Sequence, residues 1–366
     1  MNKPKHGGNL AWAAAQINCS PSLIIDFSAS INPWGPPQSA IDGIVANLDA
    51  LVAYPDPNYQ SLRQSLAQHH QLSPDWILPG NGSAELLTWA SMELCKHDFT
   101  CLLTPAFGDY WRALHAFGAQ VKTYPLKVNV PPEGQAQDHK NKFAQLPIIK
   151  PDPQKSLGLL LNNPHNPTGK LFSVEAIVPY LDKFALIVVD EAFMDFLPPN
   201  CQQSLINLVE DYPNLVILRS LTKFYSLPGL RLGYAIAHPE RLQKWQKWRD
   251  PWPINTLAAA AGEAVLREQI FAQQTWDWLL SSRMELYQGL ASLPGLQPFP
   301  SAANFLLVHT ETSGTYLQAQ LLQRHRILIR DCLSFPELGD NYFRVAVRSS
   351  ADNQLLVEAL RGITQG

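Results

Sequence analysis

Two residues that each follow a short apolar run, a lysine and an aspartate, have the types and spacing that could do chemistry. Lys223 lies just beyond the run Leu215–Leu218, and an amine held at a partly desolvated strand end can attack an aldehyde. Asp190 directly follows the apolar residues 185–189, where a buried carboxylate needs a cationic partner such as a protonated ring nitrogen. A surface lysine and a helix-capping aspartate are the alternatives. The two residues together favour the catalytic interpretation.

A third feature is a pair of glycines in Gly80–Asn81–Gly82–Ser83, which opens an amphipathic helical pattern extending through Leu94. Glycines allow close backbone approach, and the N–H groups at a helix start attract phosphate. A nicotinamide-binding glycine motif is the alternative, but Glu85 occupies the place of its third glycine. The pattern predicts a phosphate site at Gly82 and Ser83. Ser220 and Arg231, which flank Lys223, are expected to complete it.

The elements that must position these residues are short apolar runs separated by helical patterns or loops. They are residues 99–103, 157–161, 185–189, 215–218 and 232–237. Such alternation predicts an α/β fold with a parallel sheet covered by helices on both faces. All of these runs except the last end in polar residues, and open α/β sheets bind ligands at the carboxyl ends of their strands.

Downstream of about Pro253 the pattern changes. An alanine-rich helical segment starts at Thr256, and strand-like runs follow at residues 305–308, 327–329 and 343–347. This change predicts a second, smaller domain.

Composition excludes several classes of protein. Of 366 residues, 46% are hydrophobic, and 28 Lys and Arg against 31 Asp and Glu give a net charge of −3, so no basic field is available for nucleic acid. No apolar run approaches the roughly 18 residues of a membrane span. The 5 cysteines are scattered without a C-x-x-C pair, which predicts neither disulfides nor a metal site. We expect a soluble, cytoplasmic protein.

Three segments resemble the fold-type I pyridoxal-phosphate enzymes, in the branch of histidinol-phosphate aminotransferase and cobalamin-pathway threonine-phosphate decarboxylase. They are residues 163–169 (NPHNPTG), 190–193 (DEAF) and 220–234. The resemblance implies a large cofactor-binding domain with a mostly parallel sheet between helices, over residues 46–260. It also implies a smaller α+β domain, formed by residues 1–45 and 261–366, whose N-terminal segment closes over the substrate.

The resemblance also implies roles for individual residues. Lys223 looks like the lysine that forms a Schiff base with pyridoxal 5'-phosphate, and Asp190 like the partner of its ring nitrogen. Asn166 is similar to the residue that donates a hydrogen bond to the ring hydroxyl and contacts substrate. Phe107 matches the aromatic residue that stacks on the ring. Tyr54 resembles the tyrosine that reaches the cofactor phosphate of the partner subunit, which implies a homodimer with shared sites.

Substrate binding is assigned to both ends of the chain. Arg344 is similar to the arginine that holds a substrate carboxyl or phosphate group, and Arg330 lies on a separate strand-like run. Solvated strand residues are the alternative for both. Two arginines in one small domain suggest a substrate with two anionic groups. His6 and Gly7 could form an anion nest, with a mobile tail as the alternative. Together with the segment around Ser30, they resemble the decarboxylase branch.

Two positions depart from the patterns of the branch. Ser30 stands where the decarboxylase usually has Asn. Phe193 stands where many aminotransferases carry a Tyr that bonds the ring oxygen, which favours the decarboxylase.

The predicted function is pyridoxal-phosphate-dependent decarboxylation of O-phospho-L-threonine to (R)-1-aminopropan-2-yl phosphate in cobalamin biosynthesis. Histidinol-phosphate aminotransferase, or a related class I/II aminotransferase, is the alternative. A non-catalytic cofactor- or nucleotide-binding protein is disfavoured, because Lys223, Asp190, Asn166 and Arg344 are all present.

Overall fold

The computed structural model describes residues 6–128 and 143–364. Its helices are α1 (Leu10–Ile17), α2 (Gln38–Ala46), α3 (Gln60–His70), α4 (Gly82–Leu94), α5 (Gly108–Ala116), α6 (Val174–Leu181), α7 (Leu221–Phe224), α8 (Pro239–Trp248), α9 (Thr256–Val265), α10 (Gln269–Ala291), α11 (Gly314–His325) and α12 (Ser350–Thr364). Its strands are β1 (Ile25–Asp26), β2 (Ile77–Asn81), β3 (Phe99–Thr104), β4 (Val121–Pro125), β5 (Leu157–Asn162), β6 (Leu186–Asp190), β7 (Leu215–Ser220), β8 (Leu232–Ala237), β9 (Leu296–Pro298), β10 (Phe305–Thr310), β11 (Ile327–Leu328), β12 (Arg330–Asp331) and β13 (Tyr342–Ala346). Within those two ranges, no helix has both the length and the apolar character that a membrane crossing requires.

The large domain is built on a seven-stranded sheet with the order β2-β8-β7-β6-β5-β3-β4. Strands β4, β3, β5, β6 and β7 pair in parallel. Strand β8 is antiparallel to both of its neighbours, β7 and β2. Strand β2 therefore runs in the same direction as β7. As a result, the carboxyl ends of β2, β3, β5, β6 and β7 meet at one edge of the sheet, where β8 begins.

Helices cover both faces of this sheet. Side chains alternate along a strand, so Ile187 and Val189 of β6 lie in one hydrophobic core while Leu186 and Val188 lie in another. The first core includes side chains from α3 and α9, and the second includes side chains from α4 and α8. Burial on both faces explains why the strands read as continuous apolar runs.

The smaller domain contains a four-stranded antiparallel sheet with the order β12-β13-β10-β9. Helices α10, α11 and α12 pack together beside it. Strand β1 near the N-terminus pairs in parallel with β11, which ties the first segment of the chain to the C-terminal part. Where β1 ends, the Phe27 carbonyl accepts a hydrogen bond from the Ala346 amide at the end of β13 (2.8 Å).

Most of the predicted strands are present, but the structure differs from the prediction in several places. The run 232–237 forms a strand, but it is antiparallel to its neighbours. The run 327–329 is divided at Ile329. Before it, Ile327 and Leu328 pair with β1, and after it Arg330 and Asp331 pair with β13. Strands β1, β4 and β9 were not predicted: β1 and β9 are only 2 and 3 residues long, and β4 is an edge strand without any fully buried residue.

The domain boundary at residue 260 stays a prediction. It falls inside α9, which packs on α2 and α3.

Candidate active site

One edge of the central sheet brings together the residues that follow its strands. Across β5 and β6, Asn162 is in register with Asp190. On the other side of β7, Gly233 of β8 is in register with both Ser220 and Gly80. The start of α4 therefore lies close to the end of β7. This arrangement gathers the predicted cofactor residues from parts of the chain that are distant in sequence.

Lys223 lies in α7, the short helix that begins directly after β7. The Ser220 hydroxyl caps this helix by accepting a hydrogen bond from the Thr222 amide (3.4 Å). Burial lowers the pKa of Lys223 to about 8, although the Asp190 carboxylate acts in the opposite direction. Its Nζ lies 4.4 Å from the centroid of the Phe193 ring. At pH 7 about a tenth of this amine is therefore uncharged and can act as a nucleophile, a far larger share than for an ordinary lysine.

Asp190 is the last residue of β6, and both of its carboxylate oxygens accept hydrogen bonds. Oδ1 accepts from the Ala192 amide (2.9 Å) and Oδ2 from the Tyr110 hydroxyl (2.8 Å). Burial raises the pKa of Tyr110 well above 10, so this residue is a neutral phenol that donates its proton. The two bonds fix the orientation of the carboxylate. Each oxygen keeps a lone pair for a further donor.

The predicted phosphate site is closely packed around two glycines. Gly82 has φ +73°, and an added Cβ would lie 2.7 Å from Nη2 of Arg231. A Cβ on Gly233 would lie 2.5 Å from the Ser83 amide nitrogen. The positive φ at Gly82 and the backbone contact at Gly233 favour glycine at both positions, so the guanidinium and the start of the 13-residue helix α4 stay close together. With the Ser220 hydroxyl nearby, this cluster can bind an anion.

The small domain contributes two arginines from adjacent strands. Arg330 of β12 is in register with Arg344 of β13, so their side chains project from the same face of the sheet. Arg344 donates hydrogen bonds to Oδ1 of Asn166 and to the Ser28 carbonyl (3.3 Å). Burial, together with the positive charge of the neighbouring Arg330, lowers the pKa of Arg344 to about 10. Nε of Arg344 is buried without a hydrogen-bond partner among the described residues, as expected at a site for an anionic group.

The N-terminal segment lies between the two domains. The rings of His6 and Phe107 have centroids 5.5 Å apart, which joins the segment to the large domain. The Gly8 amide donates a hydrogen bond to the Ser28 hydroxyl (2.8 Å), which joins it to the small domain. His6, Gly7 and Arg330 line one small cavity. The structure therefore brings the predicted anion nest next to one of the predicted substrate arginines.

Ser30 and Tyr54 are the two predicted site residues not yet placed. Ser30 is buried, and its hydroxyl has no partner within the described residues. Nearby, the Asn32 amide donates a hydrogen bond to the Lys223 carbonyl (3.0 Å), so the segment of Ser30 runs beside α7. Tyr54 has 77% of its surface exposed and stacks on Trp252 with centroids 4.3 Å apart. Tyr54 is thus a surface residue of its own chain.

Comparison with known proteins identifies the family. The family model described as aminotransferase class I and II matches residues 23–362. The chain belongs to this family. Its sequence is 38% identical to the threonine-phosphate decarboxylase of Salmonella typhimurium, over 99% of this chain and 97% of that protein. It is 34% identical to the histidinol-phosphate aminotransferase of Symbiobacterium thermophilum, over 92% of this chain and 90% of the relative.

A solved structure agrees with these relatives. The histidinol-phosphate aminotransferase of Clostridium acetobutylicum superimposes with a TM-score of 0.82 at 28% identity, covering 93% of this chain and 99% of that one. The predicted fold class is confirmed, with a mostly parallel sheet between helices and a smaller domain. The predicted cofactor, pyridoxal phosphate, is confirmed with the family.

The residues of this site fit that cofactor. A buried amine with a lowered pKa at Lys223 suits an aldehyde, and the held carboxylate of Asp190 suits a ring nitrogen. At Gly82, where the φ of +73° favours glycine, the backbone lies close to the Arg231 guanidinium, and this arrangement suits a phosphate group. These matches rest on side chains that the fold holds in place. The role of each residue toward the cofactor remains a prediction.

Two residues of this site were missed by sequence reasoning. Tyr110 bonds Asp190, and the only local signal for it is its position three residues after Phe107 at the start of α5. Ser28 connects Arg344 with the N-terminal segment. Its only signal in the sequence is a hydroxyl two residues before Ser30, within a segment already assigned to the substrate.

Proposed function

We propose that this protein decarboxylates O-phospho-L-threonine to (R)-1-aminopropan-2-yl phosphate in cobalamin biosynthesis, with pyridoxal phosphate as cofactor. The observation that carries the proposal is the pairing of Arg330 with Arg344 beside the segment His6–Gly8. Two guanidinium groups and a set of backbone amides suit a small substrate that carries both a phosphate and a carboxylate. Similarity to a threonine-phosphate decarboxylase over almost the whole chain supports this choice.

The two arginines are proposed to bind different groups of the substrate. Arg330 shares a cavity with His6 and Gly7, which favours the phosphate. Arg344 donates a hydrogen bond to Asn166, which lies in the loop after β5. This position at the edge of the central sheet favours the carboxylate. The N-terminal segment would then exclude water from the phosphate side of the site. Tyr54, Phe107, Gly82, Ser83, Ser220 and Arg231 are proposed to hold the cofactor, and Ser30 to contact substrate.

The chemistry needs an electron sink and a proton donor. Bound pyridoxal phosphate supplies the sink for the electron pair left when the bond between Cα and the carboxylate breaks. Asp190 keeps a proton on the ring nitrogen through its carboxylate. Lys223 can carry a proton on Nζ and deliver it to Cα after carbon dioxide has left. The amine remains on the product, so no keto acid is consumed.

The test measures the products of two reactions with the purified holoenzyme. O-phospho-L-threonine alone should release carbon dioxide, and histidinol phosphate with 2-oxoglutarate should give little glutamate. Arg344→Ala should lower kcat/KM for the phosphothreonine reaction, and the fall should correspond to a loss of about 2–5 kcal/mol in transition-state binding free energy. If no carbon dioxide is released from O-phospho-L-threonine and 2-oxoglutarate is consumed with histidinol phosphate, the protein is instead a histidinol-phosphate aminotransferase.

We also propose a cytoplasmic homodimer whose two sites are shared between subunits. All 5 cysteines are free, in agreement with a reducing compartment. Several large apolar side chains near Tyr54 are exposed, as expected for a surface that a second subunit covers. They are Val45, Leu48, Leu51, Val52 and Trp252.

A further inference from the structure

The hydroxyl of Ser28 is oriented by a neighbouring carboxylate. Oδ1 of Asp26 accepts hydrogen bonds from the Ser28 hydroxyl (2.6 Å) and from the Ser28 amide (2.7 Å). A hydroxyl has one proton, and this one is committed to Asp26. The Ser28 oxygen is therefore left as an acceptor, and it accepts from the Gly8 amide (2.8 Å). Asp26 thus determines the direction in which Ser28 can bind the N-terminal segment.

The backbone of Ser28 contacts the segment and the substrate arginine as well. Its carbonyl accepts a hydrogen bond from Nη2 of Arg344 (3.3 Å). Gly7 packs against the same carbonyl, because a Cβ added to Gly7 would lie 2.2 Å from the Ser28 oxygen. One buried residue therefore contacts both Arg344 and the segment that carries His6.

Ser28 is held in place by the small-domain sheets. The preceding residue, Phe27, donates its amide proton to the Leu328 carbonyl (2.8 Å) and accepts from the Ala346 amide (2.8 Å). The guanidinium of Arg348 donates to the Asp26 carbonyl (3.1 Å). These bonds come from β11, from β13 and from the residues just after β13. Ser28 therefore has little freedom to follow a displaced N-terminal segment.

We infer that Ser28 is a positioning residue that fixes the spacing between the phosphate and carboxylate subsites of the substrate. It places the segment His6–Gly8 at a set distance from Arg344, so a substrate whose two anionic groups have another separation would fit poorly. This inference rests on the proposed function, because it takes the segment and Arg344 as the two subsites. Ser28 itself need not touch the substrate.

The first test compares Ser28→Ala with Ser22→Ala, an exposed serine of the same region. Ser28→Ala removes the acceptor for the Gly8 amide and should raise KM for O-phospho-L-threonine about tenfold, with kcat changed much less. Ser22→Ala should match the unsubstituted enzyme. A fall in kcat with KM unchanged would overturn the inference.

A double-mutant cycle then asks whether Ser28 acts through the segment. Deleting residues 2–8 should raise KM by itself, and Ser28→Ala should add almost nothing in the truncated enzyme. Gly7→Ala provides a second variant should Ser28→Ala fold poorly. It should also raise KM, because its methyl group must displace the segment from the Ser28 carbonyl. Additive effects of Ser28→Ala and the deletion would refute the coupling.

A substrate-free measurement separates this inference from the proposed function. Hydrogen exchange of the N-terminal peptide should be faster in Ser28→Ala than in Ser22→Ala, whatever the enzyme acts on. Unchanged exchange would reject the positioning role. Faster exchange in an enzyme that releases no carbon dioxide from phosphothreonine would reject the substrate and keep the role of Ser28 in holding the segment.

Discussion

At the scale of single residues, the protonation state of Lys223 decides when the cofactor can attach. Burial lowers the pKa of this amine to about 8, and the Asp190 carboxylate opposes that shift. Only the uncharged amine attacks an aldehyde, so the rate at which the apoprotein takes up pyridoxal phosphate should rise with pH through about 8, rather than through the ordinary lysine value of 10.5. Absorbance after rapid mixing, followed across a pH series, measures this midpoint.

Asp190→Asn provides the matched variant for this measurement. Removing the carboxylate removes the charge that favours the ammonium form, so the midpoint should move to lower pH. The same variant should turn over far more slowly, because nothing then holds the ring nitrogen protonated. In the unsubstituted holoenzyme, borohydride reduction followed by peptide mapping should find the cofactor attached to Lys223 and to no other lysine. A midpoint near 10.5, or a label on a different peptide, would contradict the assignment.

Tyr110 carries a separate prediction. Tyr110→Phe removes the hydroxyl that donates to Oδ2 of Asp190 and leaves the aromatic packing in place. We expect kcat to fall roughly tenfold, since a hydrogen bond to a charged group is lost, while the melting temperature changes little. Tyr212→Phe, outside the site, is the control. Equal activity of the two variants would mean that the Ala192 amide alone suffices to orient Asp190.

These residues differ in how visible they are in the sequence. Asp190 is conspicuous in the sequence because a charged side chain directly after an apolar run is costly to bury unless it has a partner. Lys223 is less conspicuous, since four residues separate it from the run Leu215–Leu218, and it gains weight only together with Asp190. Tyr110 could not be predicted, since a tyrosine in a helix is ordinary and its bond to Asp190 joins residues far apart in the chain. Ser28 was hidden for the same reason, because its partners Gly8 and Arg344 come from opposite ends of the chain.

At the scale of elements, the positions of most strands and their parallel pairing could be predicted, but the direction of β8 could not. Strands buried on both faces leave apolar runs in the sequence, and β5, β6 and β7 were found in this way. The direction of β8 depends on the path of the connection from α7, which has no sequence period. Edge strand β4 is half-exposed and so lacks the apolar signal. The antiparallel β8 is nevertheless what places the start of α4 beside Ser220.

A buried ion cluster joins the ends of β6 and β7 and carries a prediction about stability. Arg219 Nε lies 3.0 Å from Oε2 of Glu191, and Nη1 contacts Asp195. The side chains of Arg219 and Glu191 are 2% and 0% exposed. Replacing the guanidinium with an apolar chain in Arg219→Met leaves two carboxylates without their cation, and the free energy of unfolding should fall by about 3–5 kcal/mol.

Urea denaturation measures this loss, and Arg112→Met is its matched control. Arg112 pairs with Asp109 but is 51% exposed, so its removal should cost no more than about 1 kcal/mol. Because Glu191 follows Asp190 and Arg219 precedes Ser220, cofactor affinity should fall together with stability in Arg219→Met. Similar losses in the two variants would show that the buried cluster adds nothing beyond a surface ion pair.

At the scale of the whole molecule, part of the predicted site is on the surface of a single chain. Tyr54 is predicted to bind the cofactor phosphate, yet it is exposed and stacked on Trp252. Val52 beside it is 94% exposed, an unusual position for an isolated apolar side chain. Both observations are explained if a second subunit covers this surface and receives Tyr54 in its own site. A sequence alone could suggest this only through the family resemblance.

Shared sites predict that two inactive variants restore activity when their subunits mix. Tyr54→Ala lacks the residue that is proposed to act in the site of the partner subunit. Lys223→Ala lacks the residue that acts in the site of its own subunit. Random exchange of equal amounts makes half of the dimers mixed, each with one complete site, so about a quarter of the wild-type activity should return. A chain with both substitutions, mixed with Lys223→Ala, should recover nothing, because no Lys223 remains. If subunit exchange is demonstrated and the first mixture also stays inactive, each chain must build its site alone, and Tyr54 has no role across the interface.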